Sequence, residues 1–355
     1  MGLTPTEVGR AFQMYTPSAA VPDGNGAGVA AYDRSAVDTF DFHHSMLADK
    51  VRTSSFLRAV MEVVRPGDVV VDIGSGTGVL SLFAAMAGAS HVYSIEREPV
   101  IEVAREIAVR NGLSERVTFI SGFSPDVEIP ELADVLVTET IGNVGFDEGI
   151  VAWVADARKR FLKPGARIVP GRVDAVASLV SVPRDFRTIQ EWSNPLHTLD
   201  FSPLTRIARN SLLWTELSPA AIVTEPTVVF GTDFSVDAPT LVGHVREEAI
   251  KDAFVHGIGV WFRSDLTPSA TITNGPPNSV PSWEQGFLPI DEPIEVSAGD
   301  RVEFEVSSLD SGAEWTWRVG SGRTHRTSEG QLATQSRMRT AQSSPNERSD
   351  DAESG

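Results

Sequence analysis
The sequence predicts an α/β domain built on a parallel sheet, followed by a second domain of antiparallel strands with a helical insertion. Three observations carry this. Between residues 67 and 170, β-branched apolar runs alternate with helix-like segments, the βαβ order of a parallel sheet covered by helices. After Pro170 the apolar runs become short and alternating, as in Val173–Val182, Gly257–Phe262 and Arg301–Val306. They are separated by Pro, Gly, Asn and Asp, the texture of an antiparallel barrel or sandwich. Residues 185–218 interrupt that texture with Trp192, Leu196, Phe201, Leu204, Ile207, Leu212 and Trp214 on a polar background, either a cap on the strands or a contact arm for another subunit. A chain of 355 residues is also longer than most single domains.

Taken in order, residues 3–15 read as a short helix and 17–30, rich in Pro, Gly and Ala, as a linker. From 35 to 65 the apolar positions Val37, Phe40, Met46, Leu47, Val51 and Phe56 indicate helices leading into the sheet. Strands are expected over 69–73, 91–96, 117–121 and 134–138, with helices over 79–87, 98–111 and 147–162. The segment from Leu162 through the Lys-Pro-Gly turn to Pro170 adds one more strand. From about 322 the chain is Ser, Arg, Glu, Asp and Gly with almost nothing apolar, and is read as disordered. The expected organisation is therefore an N-terminal segment 1–30, partly disordered, a first domain over 31–170, a second over 171–321 with its insertion at 185–218, and a tail over 322–355.

Composition excludes several classes of function. The chain has no cysteine, so disulfides, thiolate metal sites and cysteine nucleophiles are ruled out together. Its seven histidines show no metal-ligand spacing, and no metal is expected. A net charge of −18 argues against nucleic acid as a partner, because that binding needs clustered cations, and is compatible with a cationic substrate. No apolar run approaches the ~18 residues that span a bilayer. The first residues lack a basic region followed by an apolar core, so neither a membrane partner nor a signal peptide is expected and the cytoplasm is the expected location. Arginine greatly outnumbers lysine, which suggests a high-GC bacterial coding sequence.

The most informative stretch is 69–78, Val-Val-Val-Asp-Ile-Gly-Ser-Gly-Thr-Gly. A buried strand delivers Asp72 to a turn with Gly74, Gly76 and Gly78, and a helix follows at once. Alternate glycines let the backbone approach a ligand closely. Folds that grip a pyrophosphate use Gly-x-Gly-x-x-Gly, whose third glycine would stand at Val79. The Gly-x-Gly-x-Gly spacing suits a cofactor that presents an amino-acid tail, and S-adenosylmethionine is such a cofactor. The next strand ends in Glu96, the place where Rossmann-like sheets hydrogen-bond ribose hydroxyls. Glu98 lies nearby, but strand parity favours Glu96.

The fourth strand ends at Glu139. Gly142 and Gly145 make the following loop tight, so that Glu148 can return towards Glu139 over the C-terminal edge of the sheet, where open α/β sheets bind ligands. Taken alone, Asp147 and Glu148 read better as favourable charges at a helix N-terminus.

The run Thr138-Glu139-Thr-Ile-Gly142-Asn-Val-Gly-Phe-Asp-Glu148 resembles the double-glutamate loop of the protein arginine methyltransferases, Ser-Glu-x-x-Gly followed by five residues and Glu. Phe42-His43-His-Ser-Met46-Leu-Ala-Asp-Lys-Val-Arg52-Thr is similar to a helix of that family, and Leu80–Ala89 and Phe161–Gly165 match as well. The resemblance runs from about residue 40 to 310. It implies a Rossmann-like S-adenosylmethionine-binding domain, an antiparallel β-barrel, and a helical dimerisation arm at 185–218, hence a homodimer. It also implies that His43 and Arg52 lie at the methionine end of the cofactor, with Arg52 pairing its carboxylate, Glu96 at the ribose, and Met46 among the cofactor-binding residues. Ser124 would also bind the cofactor, with Asp126 one position along from the place of the adenine-contacting acid. Glu139 and Glu148 would clamp a guanidinium, whose planar fork of donors matches two carboxylates, beside Trp283.

Three departures stand out. The family's Tyr-Phe-x-x-Tyr lid falls on Asp33-Arg-Ser-Ala-Val37, where Tyr32, Phe12 or Phe40 are the candidate substitutes. Its Thr-His-Trp loop appears as Pro281-Ser282-Trp283, and its adenine-contacting acid falls on Pro125. The changes in the lid and on the acceptor side turn the expectation towards free L-arginine as substrate, giving N-omega-methyl-arginine in a bacterial natural-product pathway. A protein or peptide arginine methyltransferase, and a non-catalytic dimeric protein that binds S-adenosylmethionine, are the alternatives.

Overall fold
A computed structural model of the chain describes residues 34–236, 241–277, 282–309, 312 and 314–329, with side chains from Asp41 onward. The expectations for 1–30, for Phe12, Tyr32 and the side chain of Phe40, and for the tail beyond 329 lie outside the described residues. Two helices, α1 (Arg34–Ala48) and α2 (Lys50–Val63), lead into the first domain. They are separated by Asp49, whose Oδ1 accepts the Arg52 amide at 3.0 Å and so caps α2.

The parallel sheet is built from β1 (Val69–Ile73), β2 (His91–Glu96), β3 (Val117–Ser121), β4 (Ala133–Thr138) and β5 (Leu162–Val169), in the spatial order β3-β2-β1-β4-β5. Helices α3 (Val79–Met86), α4 (Val100–Arg110) and α5 (Ile150–Arg160) connect them. Strand β1 is buried along its whole length, as a central strand covered on both faces must be, and this is why it reads as an unbroken apolar run around Asp72. Strand order reverses at β1, which has β2 on one side and β4 on the other. The loops after β1 and β4 therefore leave in opposite directions and open a crevice at the C-terminal edge.

The second domain holds β6 (Arg172–Val180), β7 (Leu213–Thr215), β8 (Thr227–Asp233), β9 (Val242–Glu248), β10 (Ala253–Thr267), β11 (Ala270–Thr273), β12 (Gln285–Val296), β13 (Arg301–Leu309), β14 (Glu314–Val319) and β15 (His325–Arg326). One antiparallel sheet has the order β7-β12-β10-β6-β8, with β11 on β10, and the other β15-β14-β13-β9. The two close on each other at both edges. Gly243 on β9 lies so near Val229 on β8 that a Cβ would stand 2.2 Å from its carbonyl oxygen. On the far side the Trp317 indole donates to the Pro289 carbonyl at 2.7 Å. Phe230, Phe304, Trp315 and Trp317 fill the space between, in one apolar core continuous with that of the parallel sheet.

Two expectations change. The insertion is shorter than 185–218. It forms α6 (Pro183–Glu191) and α7 (Ser202–Arg209), and the chain is back in a sheet by β7, where Trp214 pairs with Gly286. The apolar spacing around Leu212 and Trp214 belongs to a strand, and three residues are too few for periodicity to tell it from a helix. The tail also begins later than 322. His325 is buried and β15 pairs with β14, so a polar composition there hides a strand held by tertiary contacts. No described helix is long and apolar enough to cross a membrane.

Candidate active site
A cavity of about 830 Å³ opens at the strand-order reversal, between the C-terminal edge of the parallel sheet, helices α1 and α2, and the loop 282–284 of the second domain. Its volume lies in the range of small-molecule sites. Gly74, Ser75 and Gly76 form its floor. Gly76 has φ +53°, and a Cβ there would stand 3.1 Å from the His43 ring, so the turn and α1 are close enough to need glycine.

Glu96 borders the cavity with both oxygens oriented, Oε2 accepting the Gly76 amide and Oε1 the Glu98 amide, each at 2.8 Å. A carboxylate held this way keeps its remaining lone pairs for hydroxyl donors. Glu98 reaches the cavity as well. His43 and Met46 line the opposite wall from α1. Burial draws the His43 pKa below the usual imidazole value, with Glu96 opposing and Arg52 adding to it. Ser124 lines the cavity beside Phe123, which meets Trp153 edge-on at 5.3 Å.

Three expected residues are elsewhere. Asp72 is fully buried below the turn, off the cavity, with Oδ2 accepting the Ser81 hydroxyl at 2.6 Å. It holds the glycine turn to the start of α3, and burial raises its pKa to about 7. Gly78 is the left-handed N-cap of α3, where a Cβ would meet Ala104 and Phe119 at 3.2 Å, so it serves packing. Asp126 is exposed, in a single turn of 3₁₀ helix that carries it away from the cavity, whereas Ser124 two residues earlier points in.

The acid loop is built by glycines and by one carboxylate. Gly142 and Gly145 adopt φ +71° and +91°. Asp147 turns back, accepting the Asn143 amide at 3.1 Å and the Val144 amide at 2.9 Å. Asp147 is thus an internal staple of the loop, and neither it nor Glu148 caps α5, whose N-cap is Gly149. The staple returns Glu148 to the cavity that Glu139 already borders. Solvent reaches Glu148 through the mouth, yet the surrounding protein raises its pKa to about 7, with the Asp147 carboxylate adding to this and Arg52 opposing it.

Arg52 joins the two ends of the site. Its Nη2 is paired with Glu139 Oε2, its Nη1 reaches the Ser282 hydroxyl at 3.5 Å, and its guanidinium lies 4.4 Å from the centre of the Trp283 ring. Burial lowers its pKa to about 10, with Glu148 and Asp49 opposing, so it stays cationic at neutral pH. Ser282 in turn donates to Asp49 Oδ2 at 2.7 Å. Trp283 is buried against Phe262 and walls the cavity under Arg52. Two buried oxygens on the cavity lining, Glu139 Oε1 and Ser75 Oγ, have no hydrogen-bond partner among the described residues. The first suits a cationic donor beside the acid pair, and the second a polar group resting on the glycine turn, so the lining fits both an amino-acid-tailed nucleoside and a guanidinium.

Sequence reasoning missed Phe123, Asn143 and Trp153 on the lining. Trp153 had a local signal: it stands one helical turn after Gly149, and its Nε1 donates to the Glu148 carbonyl at 2.8 Å. The other two had none.

A family model for the arginine methyltransferase oligomerization subdomain matches residues 176–315, and one for ribosomal protein L11 methyltransferase matches 51–173. The chain is 30% identical to the probable protein arginine N-methyltransferase 6 of Arabidopsis thaliana, over 75% of this chain and 72% of the relative. It is 29% identical to protein arginine N-methyltransferase 6 of Xenopus laevis, over 75% and 82%. Among solved structures, the Trypanosoma brucei PRMT1 enzyme–prozyme heterotetrameric complex with AdoHcy shares the fold, with a TM-score of 0.74 at 24% identity over 81% of this chain and 98% of that one.

Proposed function
The chain belongs to the protein arginine N-methyltransferase family, an S-adenosylmethionine-dependent family, and from that premise we propose that it methylates the guanidino group of arginine residues in proteins or peptides. The observation that carries the reading is the orphaned Glu139 Oε1 facing the same cavity as Glu148. Two carboxylates on one tight loop, one with an unpartnered oxygen, match the donor fork of a guanidinium. Arg52 pairs with the other oxygen of Glu139 and leaves this one free to accept a hydrogen bond. The cofactor is S-adenosylmethionine, and the chemistry it brings is an electrophilic methyl group on a sulfonium. Gly74, Gly76 and Ser75 support its amino-acid tail in this reading, Glu96 its ribose, and Phe123 with Trp153 its flat base.

The acid pair answers a chemical difficulty. Removing a proton from a guanidinium before reaction costs about 9 kcal/mol at pH 7, because its pKa lies far above neutrality. Carboxylates placed on one side of the group concentrate its positive charge there and leave the other η-nitrogen the better nucleophile. One proton must still leave the acceptor over the whole reaction. Glu148, with its pKa raised to about 7, is the group on this cavity suited to receive it.

The relatives are named as protein arginine N-methyltransferases, which ranks protein arginine above the free L-arginine first expected. The test is tritiated methyl transfer from S-adenosylmethionine to an Arg-Gly-Gly peptide and to free arginine. A higher kcat/KM on the peptide is expected. Preference for free arginine restores the small-molecule reading, and label on neither sinks the catalytic one. We also propose that the chain works as an oligomer of itself, supported by the match to an oligomerization subdomain and by the exposed apolar residues between α6 and α7.

A further inference from the structure
The candidate site is assembled from two loops on different domains. The acid loop 139–148 leaves the parallel sheet, and loop 282–284, which carries Trp283, enters β12 of the antiparallel domain. One side chain with no exposed surface joins them. Asn274, immediately after β11, donates from Nδ2 to the Asn143 carbonyl at 2.8 Å and to the Glu284 carbonyl at 2.5 Å. Its Oδ1 accepts the Phe262 amide of β10 at 2.9 Å, and its own carbonyl accepts Gln285 Nε2 at 2.6 Å. Both amide hydrogens are committed, and a flipped amide would set an oxygen against two carbonyls. Asn143 completes the ring, its Oδ1 accepting the Glu284 amide at 2.9 Å.

We propose that Asn274 is a positioning residue for the acid pair, fixing the acid loop against the loop that carries Trp283. This rests on the reading that Glu139 and Glu148 hold a guanidinium. Asn143 is the point where the force acts. Asp147 staples its amide from within the loop and Asn274 holds its carbonyl from the other domain, so the peptide groups flanking Asn143 are held from two sides. Glu139 and Glu148 lie at the two ends of that loop, and neither has a side-chain tie to the second domain of its own among the bonds described. Glu139 has its own ion pair to Arg52, so it is the approach of Glu148 to Glu139 and to Trp283 that follows the seat of Asn143. Asn274 touches neither cofactor nor acceptor and acts only through this seat.

The test is Asn274→Asp, which keeps the shape and the bond from Phe262 but turns a carboxylate oxygen towards two carbonyls. On an Arg-Gly-Gly peptide kcat should fall between about tenfold and about a hundredfold, as for a misplacement of about 1 Å, while the Kd for S-adenosylmethionine by calorimetry stays within about twofold. In a Glu139→Gln background the same change should cost much less, because it would act on a pair already broken. A folded Asn274→Asp protein with wild-type kcat, or an equal loss in both backgrounds, overturns the proposal and leaves Asn274 a structural residue. If Glu139→Gln itself keeps wild-type kcat, the guanidinium reading fails instead. Should Asn274→Asp not fold, Asn274→Ala removes both Nδ2 bonds without setting an oxygen against the two carbonyls. It should lower kcat with unchanged cofactor affinity, and wild-type kcat there overturns the proposal equally.

Discussion

Glu148 and Asp72 are both acids with pKa values raised to about 7, and they answer to pH in different ways because one lines the cavity and the other does not. Glu148 must be a carboxylate to hold a cation, and with a raised pKa it is protonated below about 7. Its contribution to kcat/KM is therefore absent in acid and appears as pH rises through about 7, so a profile from about pH 5.5 to about 8.5 should show one ascending limb. Glu148→Gln should lower turnover by at least about a hundredfold and abolish that limb, with cofactor affinity near wild type. A near-normal kcat would return Glu148 to the role of a bystander on the loop. Asp72 acts on stability. Burial holds its folded pKa well above the ordinary aspartate value, so the native state binds the extra proton and its contribution to stability falls as pH rises from about 4 to 7. Asp72→Asn should flatten that part of the Tm-against-pH curve relative to wild type. An unchanged curve would mean the acid is no more protonated in the folded protein than in the unfolded one.

At the scale of the element, the acid loop depends on Gly142 more than on any other backbone position. Its φ is +71°, which costs an L side chain roughly 1–2 kcal/mol, and a Cβ would stand 2.3 Å from Asp147 Oδ1. Gly142→Ala must therefore displace the staple that returns Glu148 to the cavity. A loss of kcat of about tenfold or more is expected, with cofactor affinity little changed. Gly165→Ala is the control. It has φ +76° but nothing within 4 Å of the added Cβ, so it should lower Tm and spare kcat. Equal effects of the two on kcat would refute the staple. The helix α2 shows the same economy of parts: Asp49 caps it with Oδ1 and takes the Ser282 hydroxyl on Oδ2, so one carboxylate starts a helix and anchors a loop from the other domain. In this chain that anchor is a neutral hydroxyl where the family has histidine.

Over the whole molecule, the two antiparallel sheets and the parallel sheet share one apolar core, with Phe146 of the acid loop packed on Phe230 at 5.4 Å. What that core leaves uncovered is the segment between α6 and α7, where Trp192, Leu196 and Leu199 are 44%, 56% and 61% exposed. Apolar surface of this kind marks a contact site. Light scattering at micromolar concentration should give the mass of an oligomer, and Trp192→Ala combined with Leu199→Ala should shift it towards the monomer. A wild-type monomer unaffected by the double substitution would refute the assembly. The sequence by itself determined the parallel sheet, since buried β-branched runs and the glycines between them are local chemistry, and it pointed to Glu96 and Glu139 on the cavity, since each stands at the C-terminal end of a strand, whereas Glu148 taken alone read as a helix N-terminal charge. It also placed Gly74 and Gly76 under the cavity, because a close backbone approach demands glycine in place. Only the tertiary structure decided that Asp72, Gly78 and Asp126 face away from the cavity, because one residue's turn of the backbone reverses a side chain and no residue type records it. Only the tertiary structure tied Asn143 to Asn274 and Ser282 to Asp49, because hydrogen bonds between residues more than a hundred positions apart depend on how two domains pack, and no local pattern in the sequence records them.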